Sequence, residues 1–243
     1  MNSAVDGKND PPSSQSVEQE FNDFVYIVSH DLNAPLRHIQ QATEILLRGL
    51  AGKLSDDELR FAAIIEKSVN KCQTMMQALT QYSRLNTQAR DFSEVDCNEV
   101  LAHVVEGLQA LIQERQAVVK VGPLPGVFGD QVQLTLLFHH LLENALKFCP
   151  EDVEPVISVK SVPRGALFTF TVEDNGAGID EKFRERVFEM FYRADPSSPR
   201  SGTGAGLTIC KKIVSRHGGR IWAEASESNG TAIIFQINRT QSA

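Results

Sequence analysis

From Phe21 onward, Phe21, Phe24, Val28, Leu32, Ile39, Thr43, Leu46 and Leu50 recur at spacings close to three and four, which predicts one long helix. Gly49 and Gly52 mark its end. Ser55-Asp56-Asp57-Glu58 then reads as an N-cap followed by acidic first-turn residues. A second helix carries the stripe Phe61, Ile65, Val69, Cys72, Met76, Leu79 and Tyr82 and fades near Arg90. Two such helices form a hairpin. One hairpin buries both stripes poorly, because each helix has a single partner, so a homodimer pairing two hairpins into a four-helix bundle is expected over residues 20 to 90.

The pattern changes after Asp91. Phe92–Val95 looks like a short strand, and Asp96 is a candidate cap for a helix through Val100, Leu101, Val104, Leu108 and Leu111. Val118–Val121 is β-like. A turn follows, and Asp130 is placed to cap a strongly apolar helix ending at Phe148. Pro155–Val162 and Ala166–Val172 read as a hairpin turning at Gly165. A Gly-rich region, a helix over Gly206–His217 and the strands Arg220–Ala225 and Thr231–Ile237 complete the chain. Helices with mostly hairpin-connected strands imply an α+β fold in two domains, the second an α/β sandwich with one sheet covered by helices on one face. The expected division is a disordered segment over 1–17, the helical hairpin over 18–90 and the sandwich over 91–240.

Composition narrows the class. The chain has 243 residues, 42% hydrophobic and 23% charged, ordinary for a globular protein. Its net charge of −7 argues against binding nucleic acid by phosphate neutralisation. No run approaches the ~20 apolar residues that span a bilayer, and the polar N-terminus carries no signal-peptide core. Cys72, Cys97, Cys149 and Cys210 are scattered and form no CxxC pair, so reduced, packed cysteines and a cytoplasmic location are expected.

Four constellations bear chemistry. His30-Asp31 sits in the middle of the first helix, just before Pro35, which removes a helical N–H and should bend the helix. A neutral imidazole is a competent phosphoryl acceptor, and Asp31 could hold its tautomer or take its proton. A surface histidine beside a kink would read the same way. In His139–Phe148, residues 140, 144, 147 and 148 share a helix face. Asn144 offers a hard oxygen suited to Mg²⁺ and Lys147 a point charge for phosphate. Asp174-Asn175-Gly176-Ala177-Gly178 follows a strand, where a carboxylate could accept from an adenine amino group, although such a string is also an ordinary turn. Gly202-Thr203-Gly204-Ala205-Gly206-Leu207 opens a helix whose free N–H groups could cradle phosphate. Between the last two lies a candidate lid, Phe188 and Phe191 followed by the Pro/Ser-rich stretch to Ser201.

In order and spacing these motifs resemble the histidine kinase family over residues 20 to 240. His30-Asp31 with Pro35 looks like the H-box, Asn144–Phe148 the N-box, Asp174–Gly178 the G1 box, Phe188–Phe191 the F-box and Gly202–Leu207 the G2 box. Ser29–Arg37 is most similar to the phytochrome-like group. The resemblance implies a dimeric bundle and an ATP-binding sandwich of the gyrase, Hsp90 and histidine kinase type. It implies ATP and Mg²⁺, with Asn144 holding the metal, Lys147 on phosphate, Phe148 near the adenine and Asp174 on its amino group. Gly176 and Gly178 would shape the base pocket. Gly202, Thr203, Gly204, Gly206 and Leu207 would form the phosphate loop, and Asp31 would assist His30. The implied partner is the receiver domain of a response regulator, docking near residues 36 to 50 and 60 to 75.

Two positions depart from the family pattern. His140 stands where many members carry Asn, and gyrase-type ATPases a Glu, so water activation is disfavoured. Ala34 replaces a Thr or Asn that positions a dephosphorylating water, so weak phosphatase activity is expected. A phosphotransfer scaffold with an impaired nucleotide site and a gyrase-like ATPase remain the alternatives. Too few residues precede Phe21 to hold a sensor domain, so input is expected from a separate sensor protein, unless the chain is a fragment or a stand-alone kinase.

Overall fold

A computed structural model describes residues 14–87, 89–195 and 202–239, with the side chains at 14–24, 26, 30 and 86 outside that description. The chain divides into two compact units, ending at Thr87 and starting at Gln88. Among the described residues no helix is long and apolar enough to cross a membrane.

The first unit is a hairpin of α1 (Ser14–Gly49) and α2 (Asp56–Thr87). Of the segment expected to be disordered, residues 1–13 lie outside the described residues and Ser14–Val17 is helical. Nothing after Pro12 breaks a helix, and extending one costs less than starting it. α1 passes through Pro35 without a break in assignment. Ser55 starts α2 with a capping box. Its Oγ accepts from the Glu58 N–H at 3.4 Å, and the Glu58 carboxylate accepts from the Ser55 N–H at 2.7 Å. That bonding holds the Glu58 carboxyl below its usual range. Val25, Val69, Ala78 and Leu85 are buried between the helices, and Gln73 donates to Gln40 across them at 3.1 Å. This core is small. Ile27, Ile45, Leu46, Phe61 and Ile64 stay 58–65% exposed in the single hairpin.

The second unit opens with β1 (Ser93–Asp96), α3 (Cys97–Gly107) and α4 (Gln109–Glu114). Asp96 caps α3 by accepting from the Asn98 N–H at 2.7 Å. The single helix expected through Leu111 is interrupted at Leu108, after Gly107, where the backbone leaves helical values at ψ 5°. β2 (Val118–Val121) follows, then β3 (Gly126–Gly129) in the place expected to be only a turn. β3 pairs antiparallel with β1, Val95 opposite Val127.

Next come α5 (Gln131–Lys147), β4 (Val156–Arg164), β5 (Leu167–Asp174), α6 (Gly206–Arg216), β6 (Ile221–Ala225) and β7 (Thr231–Asn238). The five-stranded sheet has the order β2-β4-β5-β7-β6, antiparallel except for the β2–β4 pair. Gly165, at φ +63°, turns the β4–β5 hairpin. α5 and α6 pack on the sheet. Phe138 meets Phe170 and Phe235 edge-on at 6.0 and 5.8 Å, and those two rings stack at 4.9 Å. All three are fully buried, with Leu134, Leu137, Ile209 and Ile213 around them.

A polar knot fixes the start of α5 to the end of α6. Asp130 Oδ1 caps α5 by accepting from Val132 and Gln133, while Oδ2 accepts from the Arg90 N–H and from Arg216 at 3.1 Å. His217 Nε2 accepts from the Asp130 N–H at 3.0 Å, so its Nδ1 carries the proton given to the Ile213 carbonyl at 2.8 Å. Phe92 stacks on this ring at 4.6 Å. Burial drives the His217 pKa below its ordinary value.

All four cysteines are free. Cys97, Cys149 and Cys210 are buried, burial pushing the Cys97 thiol up to about 12 and Cys210 higher still, while Cys72 on α2 is exposed.

Candidate nucleotide site

The C-terminal half of α5, the end of β5, the start of β7 and the N-terminus of α6 enclose a cavity of about 350 Å³ in the second unit. Each wall has a local cause. Asp174 closes β5, and its Oδ1 accepts from the Gly176 N–H at 2.8 Å and the Thr231 N–H at 3.0 Å. No bond from a described residue reaches Oδ2. Burial raises the Asp174 pKa above the usual carboxylate value, against the two N–H groups that lower it.

The chain after Asp174 is sewn to the end of α5. The Ala177 N–H donates to the Phe148 carbonyl at 3.1 Å. A Cβ on Gly176 would lie 3.0 Å from that carbonyl and 2.9 Å from Asp174 Oδ1, so this position requires glycine. Asn175 holds the turn from the other side, accepting from the Val156 N–H at 2.8 Å and donating to the Glu154 carbonyl at 3.0 Å.

The opposite wall is the Gly-rich turn. Gly204 has φ +73°, and a Cβ there would lie 2.5 Å from the Tyr192 carbonyl. Among the described residues no side chain caps α6, whose N-cap position is Ala205, so its first N–H groups are open to an anion. A Cβ on Gly206 would lie 3.5 Å from His140 Nδ1 and 3.8 Å from Asn144 Nδ2, which places α5 and the start of α6 in close approach. Lys147 Nζ would be 2.7 Å from a Cβ on Gly202. Burial lowers the Lys147 pKa, with the Glu143 charge opposing that shift.

Of the eleven residues expected at a nucleotide site, ten line this cavity: Asn144, Lys147, Phe148, Asp174, Gly178, Gly202, Thr203, Gly204, Gly206 and Leu207. Gly176 does not line it and instead supports the Asp174 turn. The expected catalytic pair is in the other unit. His30 lies in α1, with its side chain outside the described residues, and Asp31 is exposed beside it.

The structure also brings in residues the sequence reading left aside. Val172 and Ile233, cross-strand partners on β5 and β7, supply apolar lining, and Thr231 supplies its N–H to Asp174. Tyr192 and Arg193 line the cavity, whereas Phe188 is buried outside it and Phe191 turns the chain at φ +62°. Arg186 lies over the Tyr192 ring at 4.2 Å. The lid expected to run to Ser201 falls, over 196–201, outside the described residues. His140 lines the cavity with its Nε2 buried and unbonded among the described residues.

Two family matches account for most of the chain. Residues 129–241 match the histidine kinase-, DNA gyrase B- and HSP90-like ATPase family, and residues 22–88 match the His Kinase A (phospho-acceptor) domain. The chain belongs to the sensor histidine kinases and carries their catalytic core, near the phytochrome-like group. Among curated relatives it is 35% identical over 214 residues to phytochrome-like protein Cph1 of Synechocystis, covering 88% of this chain and 28% of that protein. The chain thus spans about a quarter of that relative's length. The solved catalytic domain of histidine kinase ThkA is 27% identical with a TM-score of 0.55, over 62% of this chain and 97% of that domain. Full-length ShkA, crystallised with AMPPNP, shares the fold over 91% of this chain and 47% of its own, at 22% identity and a TM-score of 0.64.

Proposed function

We propose that the chain is an ATP-dependent histidine autokinase of a two-component system. It binds ATP with Mg²⁺ in the cavity of the second unit and phosphorylates His30. The phosphoryl group then passes to an aspartate on the receiver domain of a response regulator. The observation that carries this reading is the convergence of Asn144, Lys147, Asp174 and Gly202–Leu207 on one cavity, from segments far apart in sequence.

In this reading the free Oδ2 of Asp174 accepts from the adenine amino group, and Phe148 lies beside the base with Val172 and Ile233. Lys147 and the uncapped end of α6 receive the phosphates. Asn144, beside Gly206, offers a hard carboxamide oxygen to Mg²⁺, and such an ion neutralises phosphate charge. The His30 nitrogen attacks the γ-phosphorus. A P–N bond forms, the bond to the β–γ bridging oxygen breaks, ADP leaves and the imidazole proton goes to Asp31. Catalysis is mainly positioning and charge neutralisation.

Chains pair through the apolar faces that the single hairpin leaves open, with Ile45, Leu46, Phe61 and Ile64 inside a four-helix bundle. Three free buried cysteines suit a cytoplasmic setting, with input from a separate sensor protein or from further segments of a longer one. Incubation with γ-labelled ATP tests the proposal. Acid-labile, base-stable label is expected on the chain and is lost in His30→Gln. Steady phosphate release without labelled protein would replace it with an ATPase, and absence of nucleotide binding would leave a phosphotransfer scaffold.

A further inference from the structure

The geometry points to a transition-metal site on α5, formed by His139, His140 and Glu143 at the edge of the nucleotide cavity and suited to a borderline divalent ion of the Zn²⁺ class. One donor atom from each residue lies within 4.8 Å of the other two. His139 and Glu143 are four apart and His140 and Glu143 three apart, so helix geometry turns both imidazoles toward one carboxylate. His140 Nδ1 stands 3.9 Å from Glu143 Oε2. That is too long for a hydrogen bond, but a cation bonded to each at about 2.1 Å closes such a gap.

The ring is not engaged elsewhere. Its Nε2 is buried and bonds to nothing among the described residues, and its Nδ1 stands beyond hydrogen-bond reach of Glu143, so ligation through Nδ1 breaks no hydrogen bond to that carboxylate. Glu143 is charged and adjustable. Its side chain is 46% exposed and free to rotate inward. Tetrahedral donors sit about 3.3 Å apart, so modest rotations complete the site.

The donor set selects the metal. Two imidazoles and one carboxylate favour zinc-like ions, whereas Mg²⁺ prefers oxygen ligands. Three protein ligands leave a fourth position open. His140 and Glu143 line the cavity wall, so that position faces the cavity, where water or a phosphate oxygen fits. His139 is the donor that does not line the cavity.

The test uses the full chain without nucleotide, so it is independent of the kinase reading. Co²⁺ is titrated alone and followed by its visible ligand-field absorption, then Zn²⁺ is added in competition. A single equivalent of Co²⁺ with a tetrahedral-type spectrum is expected, displaced by Zn²⁺ and not by excess Mg²⁺. His139→Ala and Glu143→Gln should each weaken binding by about tenfold or more, while His139→Ala retains ATP binding and the melting temperature. No ligand-field band, or equal affinity in wild type and both variants, overturns the site.

Discussion

Asp174→Asn separates recognition of the base from stability of the fold. In the wild type Oδ1 takes the Gly176 and Thr231 N–H groups at 2.8 and 3.0 Å, so an Asn can keep both only by placing its carbonyl oxygen there. Its amide nitrogen then occupies the Oδ2 position and presents a donor to the adenine amino group, itself a donor. A lost hydrogen bond to a charged group is worth about 1.5–3 kcal/mol, so the ATP dissociation constant should rise by about ten- to a hundredfold. The melting temperature should hardly move, since the turn keeps its bonds. Calorimetric titration of wild type and variant with ATP, beside thermal melts, measures both. Acidity supplies a second readout. Burial raises the Asp174 pKa, so wild-type affinity falls as pH drops through that raised value and the acceptor is protonated, whereas the variant lacks this component. For folding the sign is opposite, because burying the charge costs stability at neutral pH and acidification through the same range relieves it. Affinity within about twofold of wild type, at an unchanged melting temperature, would refute the placement of the base.

His217 should make the second unit acid-sensitive. Its folded pKa lies below the unfolded one, so the unfolded chain binds the proton more readily, and stability present above about pH 6.5 is lost as pH falls toward the folded value. Thermal melts at decreasing pH should show this loss, and it should shrink in His217→Gln. Phe138→Ala removes the ring packed edge-on against Phe170 and Phe235 and should cost about 3–5 kcal/mol in denaturant unfolding; a cost below about 1 kcal/mol would mean that the core repacks. His140→Asn should leave γ-phosphate labelling intact or raise it, and loss of ATP binding in that variant would contradict the place given to His140 on the cavity wall.

The helices α1, α2 and α5 were legible because long periodic stripes and local caps at Ser55 and Asp130 announce them. β3 was not, since a four-residue strand that begins and ends in glycine carries no alternation and pairs with β1 only through long-range contact. The glycines and polar groups of the cavity were readable because each answers a local need, a tight turn or a free helix end. Val172, Thr231 and Ile233 were hidden for the converse reason, as β-rich residues whose role comes from the register of β5 against β7. Tyr192 and Arg193 were masked by their neighbours Phe188 and Phe191, whose aromatic rings drew the apolar reading away from the cavity.

The distribution of thiols has a practical consequence. Three of the four are shielded by packing, which leaves Cys72, midway along α2, as the exposed one. A maleimide spin probe or fluorophore can therefore be attached to the unaltered polypeptide at one known point. If two hairpins associate, each assembly carries a matched pair of probes, and dipolar spectroscopy reports the spacing between them without any engineered cysteine.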